Sequence, residues 1–189
     1  MKLSYTILIV ILICLSGCQP SEPKYSRMHQ DFGLRALEGI QTISGEAKIP
    51  ADAISYEITY LKFESGEFIG TGGISIAPLN SSDIDSLKVE LLWRISEDDS
   101  AQVTLHSVGS AGRTSDKIFA HEYTSTHSGT MAQFEDYTIV GYACSFLRIE
   151  NPPETLNSPI TSPELSHAIR NHKYVVAVGI KFSEKKKVQ

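Results

Sequence analysis

An alternation of apolar and polar residues over 87–96 constrains the fold of this chain more than any other feature of the sequence. Every second residue of this segment is apolar: Leu87, Val89, Leu91, Trp93 and Ile95. Successive side chains of a β-strand point to opposite faces, whereas a helix repeats every 3.6 residues. The segment is therefore predicted to be a strand that buries one face and leaves the other in water.

Six further segments are predicted to be strands, either from the same alternation or from a run of β-prone residues. They cover 53–64, 67–77, 101–108, 117–123, 137–149 and 173–182. Segment 137–149 is apolar on both faces, which is typical of a strand that is covered on two sides. Short polar turns at 65–66 and 97–100 predict two hairpins. Segments 109–116 and 124–130 are rich in Gly, Ser or Thr and are interpreted as loops.

Helical signals are few. Apolar residues over 29–38 have a loosely helical spacing, and they predict one short helix. The series Ser162-Pro163-Glu164 combines an N-cap, a proline at the first helical position and an acid in the first turn, so a second short helix is predicted to begin there and to end near His172. The predicted fold class is mainly β, an antiparallel β-sandwich of about seven strands with one or two short helices.

The first seventeen residues have the layout of a secretory signal peptide. Lys2 supplies a positive charge, and the apolar run over 5–15 is interrupted only by Thr6. About 20 apolar residues are needed to span a bilayer, so this run is too short for a transmembrane helix. Its length matches the apolar region of a signal peptide, with Ser16 and Gly17 as the small residues before the cleavage site.

Leu15-Ser16-Gly17-Cys18 resembles the lipobox of bacterial lipoproteins. The resemblance covers this segment only, and it implies cleavage after Gly17 and a diacylated Cys18 as the new N-terminus. Two acyl chains anchor a protein stably, whereas one chain holds it only marginally. Gln19, rather than Asp, follows the cysteine, which in lipoproteins of bacteria with two membranes implies delivery to the outer membrane. An ordinary secreted protein with a cysteine at the cleavage site is the alternative.

The mature chain is predicted to consist of a lipidated tether and one folded domain. Residues 18–28 contain two prolines and mostly polar side chains, so they are interpreted as a flexible tether, and 29–189 as a single β-sandwich domain. The whole chain has 17 basic and 22 acidic residues and a net charge of −5. This balance lacks the positive field on which nucleic-acid binding depends, so no nucleic-acid partner is expected.

No motif in the sequence points to an enzyme, a metal or a cofactor. Cys144 alternates with apolar residues and is interpreted as a core residue. His121 and His127 are about 20 Å apart if their segment is extended, which is too far for one metal ion to bridge. The phosphate-binding loop and the nucleophile elbow are both absent. We therefore expect a non-enzymatic protein that carries no cofactor.

The best candidate for a binding surface is the stretch around 124–130. His121, Tyr123, His127 and Tyr137 flank or lie within it and are the predicted binding residues. Trp93 is instead assigned to the core because it alternates with aliphatic residues. The predicted function is that of an envelope lipoprotein that binds or assembles with another protein and contacts the membrane through the lipid on Cys18. A carbohydrate-binding module is the alternative, and a hydrolase assembled from distant residues is the third hypothesis.

Overall fold

The structure of the chain is a computed structural model that describes residues 39–79, 85–95, 101–107, 110–157 and 159–184. Side chains are described in these ranges except at 110, 124–127 and 130. The predicted signal peptide (1–17), the tether with Cys18 (18–28) and the predicted helix over 29–38 lie outside the described residues.

Nine strands lie in the described ranges and form two antiparallel sheets. A four-stranded sheet has the order β1-β4-β5-β6, and a five-stranded sheet has the order β3-β2-β9-β8-β7. The strands are β1 (Ile40–Lys48), β2 (Ala53–Glu64), β3 (Glu67–Pro78), β4 (Ser86–Ile95), β5 (Ala101–Ser107), β6 (Ser110–Ser115), β7 (Tyr123–Phe134), β8 (Tyr137–Ser145) and β9 (Tyr174–Glu184). A 3-10 helix, η1 (Lys117–Ala120), and one α-helix, α1 (Pro163–Asn171), are described beside them.

The two sheets pack face to face, so the predicted mainly-β sandwich is confirmed. The alternating residues of β4 supply one side of the core, with Trp93 at 1% exposure. Even-numbered residues of β2 and β9 supply much of the other side: Tyr56, Ile58, Tyr60, Val176, Val178 and Ile180. Every one of these side chains is removed from water, which is the main favourable contribution to folding.

Helix α1 adds a third layer on the outer face of the five-stranded sheet. Leu165, Ala168 and Ile169 of α1 pack on odd-numbered residues of β9, including Val175 and Ala177. The predicted start of this helix is confirmed, because the Ser162 hydroxyl accepts a hydrogen bond from the Leu165 N–H at 3.2 Å. Within the described part of the chain, no helix is both long enough and apolar enough to cross a bilayer.

Both predicted hairpins have the expected antiparallel pairing. Strands β2 and β3 join through Ser65 and Gly66, whose positive φ values of 51° and 90° suit the tight hairpin turn that follows the twist of the strands. Strands β4 and β5 pair from Val89 opposite Ser107 to Ile95 opposite Ala101. The residues of their predicted turn, 97–100, lie outside the described ranges.

Three of the local predictions are wrong. The predicted loops at 109–116 and 124–130 contain strands β6 and most of β7, while 117–123, predicted as a strand, is largely η1. The first sheet also contains β1, which the sequence pattern did not predict. In β6 and β7, Gly and Ser residues pair with the neighbouring strands β5 and β8. Pairing with an already formed neighbour satisfies their backbone groups, and composition does not report it.

Candidate binding surface

The four predicted binding residues do not form one site. Tyr123 is 7% exposed, packs edge-on against Trp93, and its hydroxyl donates to the Ile118 carbonyl at 2.8 Å. Burial, followed by the charge of Asp116, raises the pKa of Tyr123 well above its ordinary value. Tyr123 is therefore a core residue. The side chain of His127 lies outside the described residues.

His121 and Tyr137 lie at opposite ends of β9. The His121 ring stacks on the ring of Tyr174 at the first position of β9, with the centroids 4.0 Å apart and the planes 4° apart. Tyr137 lies near Lys181, close to the other end of that strand. Seven residues of strand separate Tyr174 from Lys181, which corresponds to about 23 Å. One ligand of ordinary size cannot contact both.

Tyr137 instead belongs to a row of side chains that crosses the outer face of the five-stranded sheet. Ile76 of β3 is opposite Glu57 of β2, and Glu57 is opposite Lys181 of β9. Tyr137 at the start of β8 completes the row, because the ring of Tyr137 lies 5.9 Å from Lys181 Nζ. We call Ile76, Glu57, Lys181 and Tyr137 the outer row. Three strand spacings separate its ends, which is about 14 Å.

A glycine allows the Tyr137 side chain to lie across β9. A Cβ atom at Gly179 would come within 3.1 Å of Tyr137 Cβ and within 2.6 Å of Leu61 Cδ1. In the space that the missing side chain leaves, the Tyr137 hydroxyl reaches past β9 and donates to Glu57 Oε1 at 2.8 Å. Burial, followed by this hydrogen bond, raises the pKa of Tyr137 to about 12. Tyr137 is consequently a neutral hydrogen-bond donor at physiological pH.

Lys181 is held by an ion pair at the edge of the row. Its Nζ atom lies 2.9 Å from Asp136 Oδ2, and this bond and charge raise the pKa of Lys181. Asp136 is largely exposed and Lys181 is partly exposed, so the pair contributes little to the free energy of unfolding. Its effect is to keep a cation beside the Tyr137 ring.

The β3 end of the outer row exposes large apolar side chains. Ile76 is 67% exposed and Ile74, two residues earlier on the same face, is 57% exposed. Helix α1 covers the other end of this face and does not reach them. Strand β3 is an edge strand, and apolar residues exposed along a sheet edge are typical of a surface that binds another chain.

Sequence reasoning identified Tyr137 but missed Ile76, Glu57 and Lys181. The β-prone run over 67–77 predicted a strand here, but it assigned no face to Ile74 or Ile76. In the structure Ala77 is buried and Ile76 is exposed, because Tyr56 opposite Ala77 points into the sandwich. The sheet neighbour, which the local pattern does not contain, decides which face is covered.

We also considered a reactive cysteine and a metal site in the described ranges. Cys144 is buried, as predicted, and no group of three or more His, Cys, Asp or Glu side chains described here is placed to hold a metal ion. Tyr60 and Lys62 both donate to Asp116 Oδ2, at 3.0 and 3.1 Å, and Asp116 also caps η1. That cluster ties η1 to β2.

No family model, no curated protein and no solved structure matches this chain. The function must therefore be argued from the surface itself.

Proposed function

We propose that this protein is a lipid-anchored, non-enzymatic component of the bacterial cell envelope that binds another envelope protein through the outer row and Ile74. The observation that carries this proposal is the exposure of Ile74 and Ile76 on an edge strand beside an ordered polar network.

The composition of this surface resembles that of a protein interface. Protein interfaces combine an apolar centre with a polar rim, and they are enriched in tyrosine. Here Ile74 and Ile76 provide apolar area, and Tyr137 presents a ring whose hydroxyl is already bonded to Glu57. Since that hydrogen bond holds the ring, little side-chain entropy remains to be lost when a partner binds.

The lipid anchor predicted at Cys18 supports a location in the cell envelope. The segment Leu15-Ser16-Gly17-Cys18 follows an apolar signal region, and Gln19 favours the outer membrane where two membranes exist. The predicted tether of residues 18–28 would span about 17–20 Å as a flexible coil, which leaves the domain free to turn toward a partner.

The alternative of a carbohydrate-binding module depends on a row of exposed aromatic rings. Trp93, Tyr56 and Tyr60 are all buried at 2% exposure or less, so they do not provide one. The protein-binding proposal uses surface that the structure leaves accessible.

The anchor can be tested by mass spectrometry of the native protein and by membrane fractionation of a Cys18→Ser variant. We expect acyl chains on Cys18 and loss of the variant from the membrane fraction. An unmodified Cys18 in native material would contradict the anchor.

The binding surface can be tested by placing a photo-crosslinking amino acid at position 76 and, as a matched control, at position 131. Met131 is 61% exposed on β7, so it is as accessible as Ile76 but lies on another edge. We expect a discrete crosslinked band from position 76 that an Ile74→Ser substitution weakens. Identical band patterns from the two positions would overturn the proposal.

A further inference from the structure

A cleft of 240 Å³ opens on the outer face of the five-stranded sheet. It lies between the β2–β3 turn, helix α1 and the segment before that helix. Phe63 of β2 lines it, and six residues separate Phe63 from Glu57 of the outer row, which is about 20 Å along the strand. On its other side the cleft approaches the outer row, because Phe134, which also lines it, is opposite Tyr137 in the pairing of β7 with β8.

Apolar side chains and polar groups both line the cleft. Six of its lining residues are Phe63, Phe68, Phe134, Leu156, Ile160 and Ile169. The three phenylalanine rings contact one another with centroids 5.0 to 5.6 Å apart. Phe63, Phe134 and Ile169 are almost fully buried, so the floor is part of the core.

Two contacts hold the rim of the cleft in place. Gly66 packs so closely on Pro153 that a Cβ atom at Gly66 would lie 2.8 Å from Pro153 Cγ. Arg170 Nη1 donates to the Glu154 carbonyl at 3.0 Å, which ties the segment before α1 to the helix. Because both sides of the rim are held, the cleft exists before any ligand arrives.

The volume suits one bulky side chain. A cavity of about 150 Å³ lined by Leu, Ile and Phe binds benzene, whereas pockets for drug-sized molecules begin at about 300 Å³. At 240 Å³, this cleft has room for one aromatic ring and its linking carbon. Aromatic side chains that fill such pockets supply much of the affinity of protein complexes.

A negative charge at the rim indicates which kind of group can bind beside the ring. Glu67 and Asn157 are the polar side chains among the lining residues, and Glu67 carries the one charge there. Glu67 is exposed at the first position of β3 and lines the cleft. A cation next to the bound ring would be attracted to this carboxylate, while an anion would be repelled.

We propose that the cleft receives an aromatic side chain from an extended segment of a partner protein, with a neighbouring lysine or arginine beside Glu67. This inference rests on the proposed protein-binding function and adds a second, chemically defined contact to it. The outer row would contribute a broad surface, and the cleft would select the partner by one anchor residue.

The test is a titration of the full lipidated chain in detergent micelles, followed by methyl NMR of isoleucine and leucine residues. The probe is the capped peptide acetyl-Gly-Phe-Lys-Gly-amide. We expect saturable shifts of the methyl signals of Leu156, Ile160 and Ile169 at roughly millimolar peptide. Replacing Phe by Ala in the peptide should abolish them, and replacing Lys by Glu should weaken binding about two- to five-fold.

Three variants of the protein test whether the peptide binds in the cleft and beside Glu67. Leu156→Trp should fill the cleft and remove binding, with the fold checked by circular dichroism. Glu67→Gln should weaken the Lys peptide about two- to five-fold, whereas Glu64→Gln, which changes the residue opposite Glu67 in the hairpin but not a lining residue, should not. Glu67→Gln changes only the rim and keeps the test valid if Leu156→Trp does not fold.

Two outcomes would overturn the inference. One is the absence of shifts at these methyl groups up to the solubility limit of the peptide. The other is equal binding of the Lys and Glu peptides, or binding of free benzylamine without binding of the peptide, which would indicate a small-molecule site. Either result leaves crosslinking from position 76 intact, so failure of the cleft and failure of the proposed function are distinguishable.

Discussion

The two faces of the five-stranded sheet are built from the same strands but are covered in different ways. The inner face meets the four-stranded sheet along its length, and Ile58, Val178 and Ile180 are all fully buried there. Among the described residues, the outer face is covered at one end by helix α1 with Leu156 and Ile160 before it, so Val175 and Ala177 are buried while Lys181, four residues further along, is partly exposed.

This difference shows that a covering element determines the chemistry of a strand position. Under the four-stranded sheet most positions are apolar, and the buried hydroxyls of Tyr56 and Ser107 bond to each other, because a buried unpaired polar group is costly. Beyond the end of α1, the outer face can carry Glu57, Lys181 and Tyr137, and these residues supply the candidate surface. We therefore expect substitutions on the inner face to change the free energy of unfolding, and substitutions on the open part of the outer face to change binding.

The largest expected effect comes from the inner face. Ile180→Ala should lower the free energy of unfolding by about 2–5 kcal/mol, because it leaves a cavity in a packed core. Urea denaturation of the variant and the wild type would measure the difference. A loss below about 1 kcal/mol would mean that the inner face is not packed as described.

The second largest loss of unfolding free energy is expected in helix α1, which covers part of the outer face. Ser162→Ala removes the hydroxyl that caps the Leu165 N–H and should lower the free energy of unfolding by about 1 kcal/mol. Ser166→Ala, in the first turns of the same helix, is the matched control and should cost clearly less. Equal losses in the two variants would argue against the cap.

The open half of the outer face can be examined by alkaline titration. The pKa of Tyr137 is about 12 in the folded state, against an ordinary value of about 10. The folded state holds this proton more tightly, so the stabilising contribution is complete below pH 10 and is lost as the pH rises toward 12. The tyrosinate absorbance of Tyr137→Phe, subtracted from that of the wild type, should therefore show one ionisation near pH 12.

A subtracted titration centred near pH 10 would contradict the bond between Tyr137 and Glu57. Glu57→Gln supplies the matching variant, because it keeps the size of the side chain and removes the negative charge that raises the pKa. We expect the ionisation of Tyr137 to move to lower pH in Glu57→Gln.

The smallest effect is expected at the exposed end of the outer row. Ile76→Ala should change the free energy of unfolding by no more than about 0.5 kcal/mol, since Ile76 is 67% exposed. It is the same chemical change as Ile180→Ala on the opposite face of the same sheet. If Ile76→Ala destabilised the protein as much as Ile180→Ala, the distinction between the two faces would fail.

Much of the fold was predictable because its signals are local. The alternation over 87–96, the Ser65-Gly66 turn and the cap at Ser162 each report the structure of the residues that contain them. Strands β1 and β6 were not predictable in this way. Each has few buried side chains of its own and lies at an edge of the four-stranded sheet, where backbone pairing with β4 or β5 holds it.

Of the residues in the candidate site, only Tyr137 was predicted from the sequence. The others were missed because, as with β1 and β6, their surroundings are set by distant parts of the chain. Tyr123 and His121 have the residue types of a binding surface, but Tyr123 packs on Trp93 and His121 stacks on Tyr174, and both contacts come from distant parts of the chain. The partner of Tyr137, Glu57, is likewise 80 residues away in the sequence.

The sequence by itself determined that this chain is mainly β, because a period of two residues in hydrophobicity is compatible with a strand and not with a helix. It also contains the segment 15–18 that resembles a lipobox, from which the anchor is predicted. Only the tertiary structure decided which face of each strand is covered, since that depends on the sheet or helix packed against it. The outer row and the cleft both depend on which part of the outer face is left uncovered.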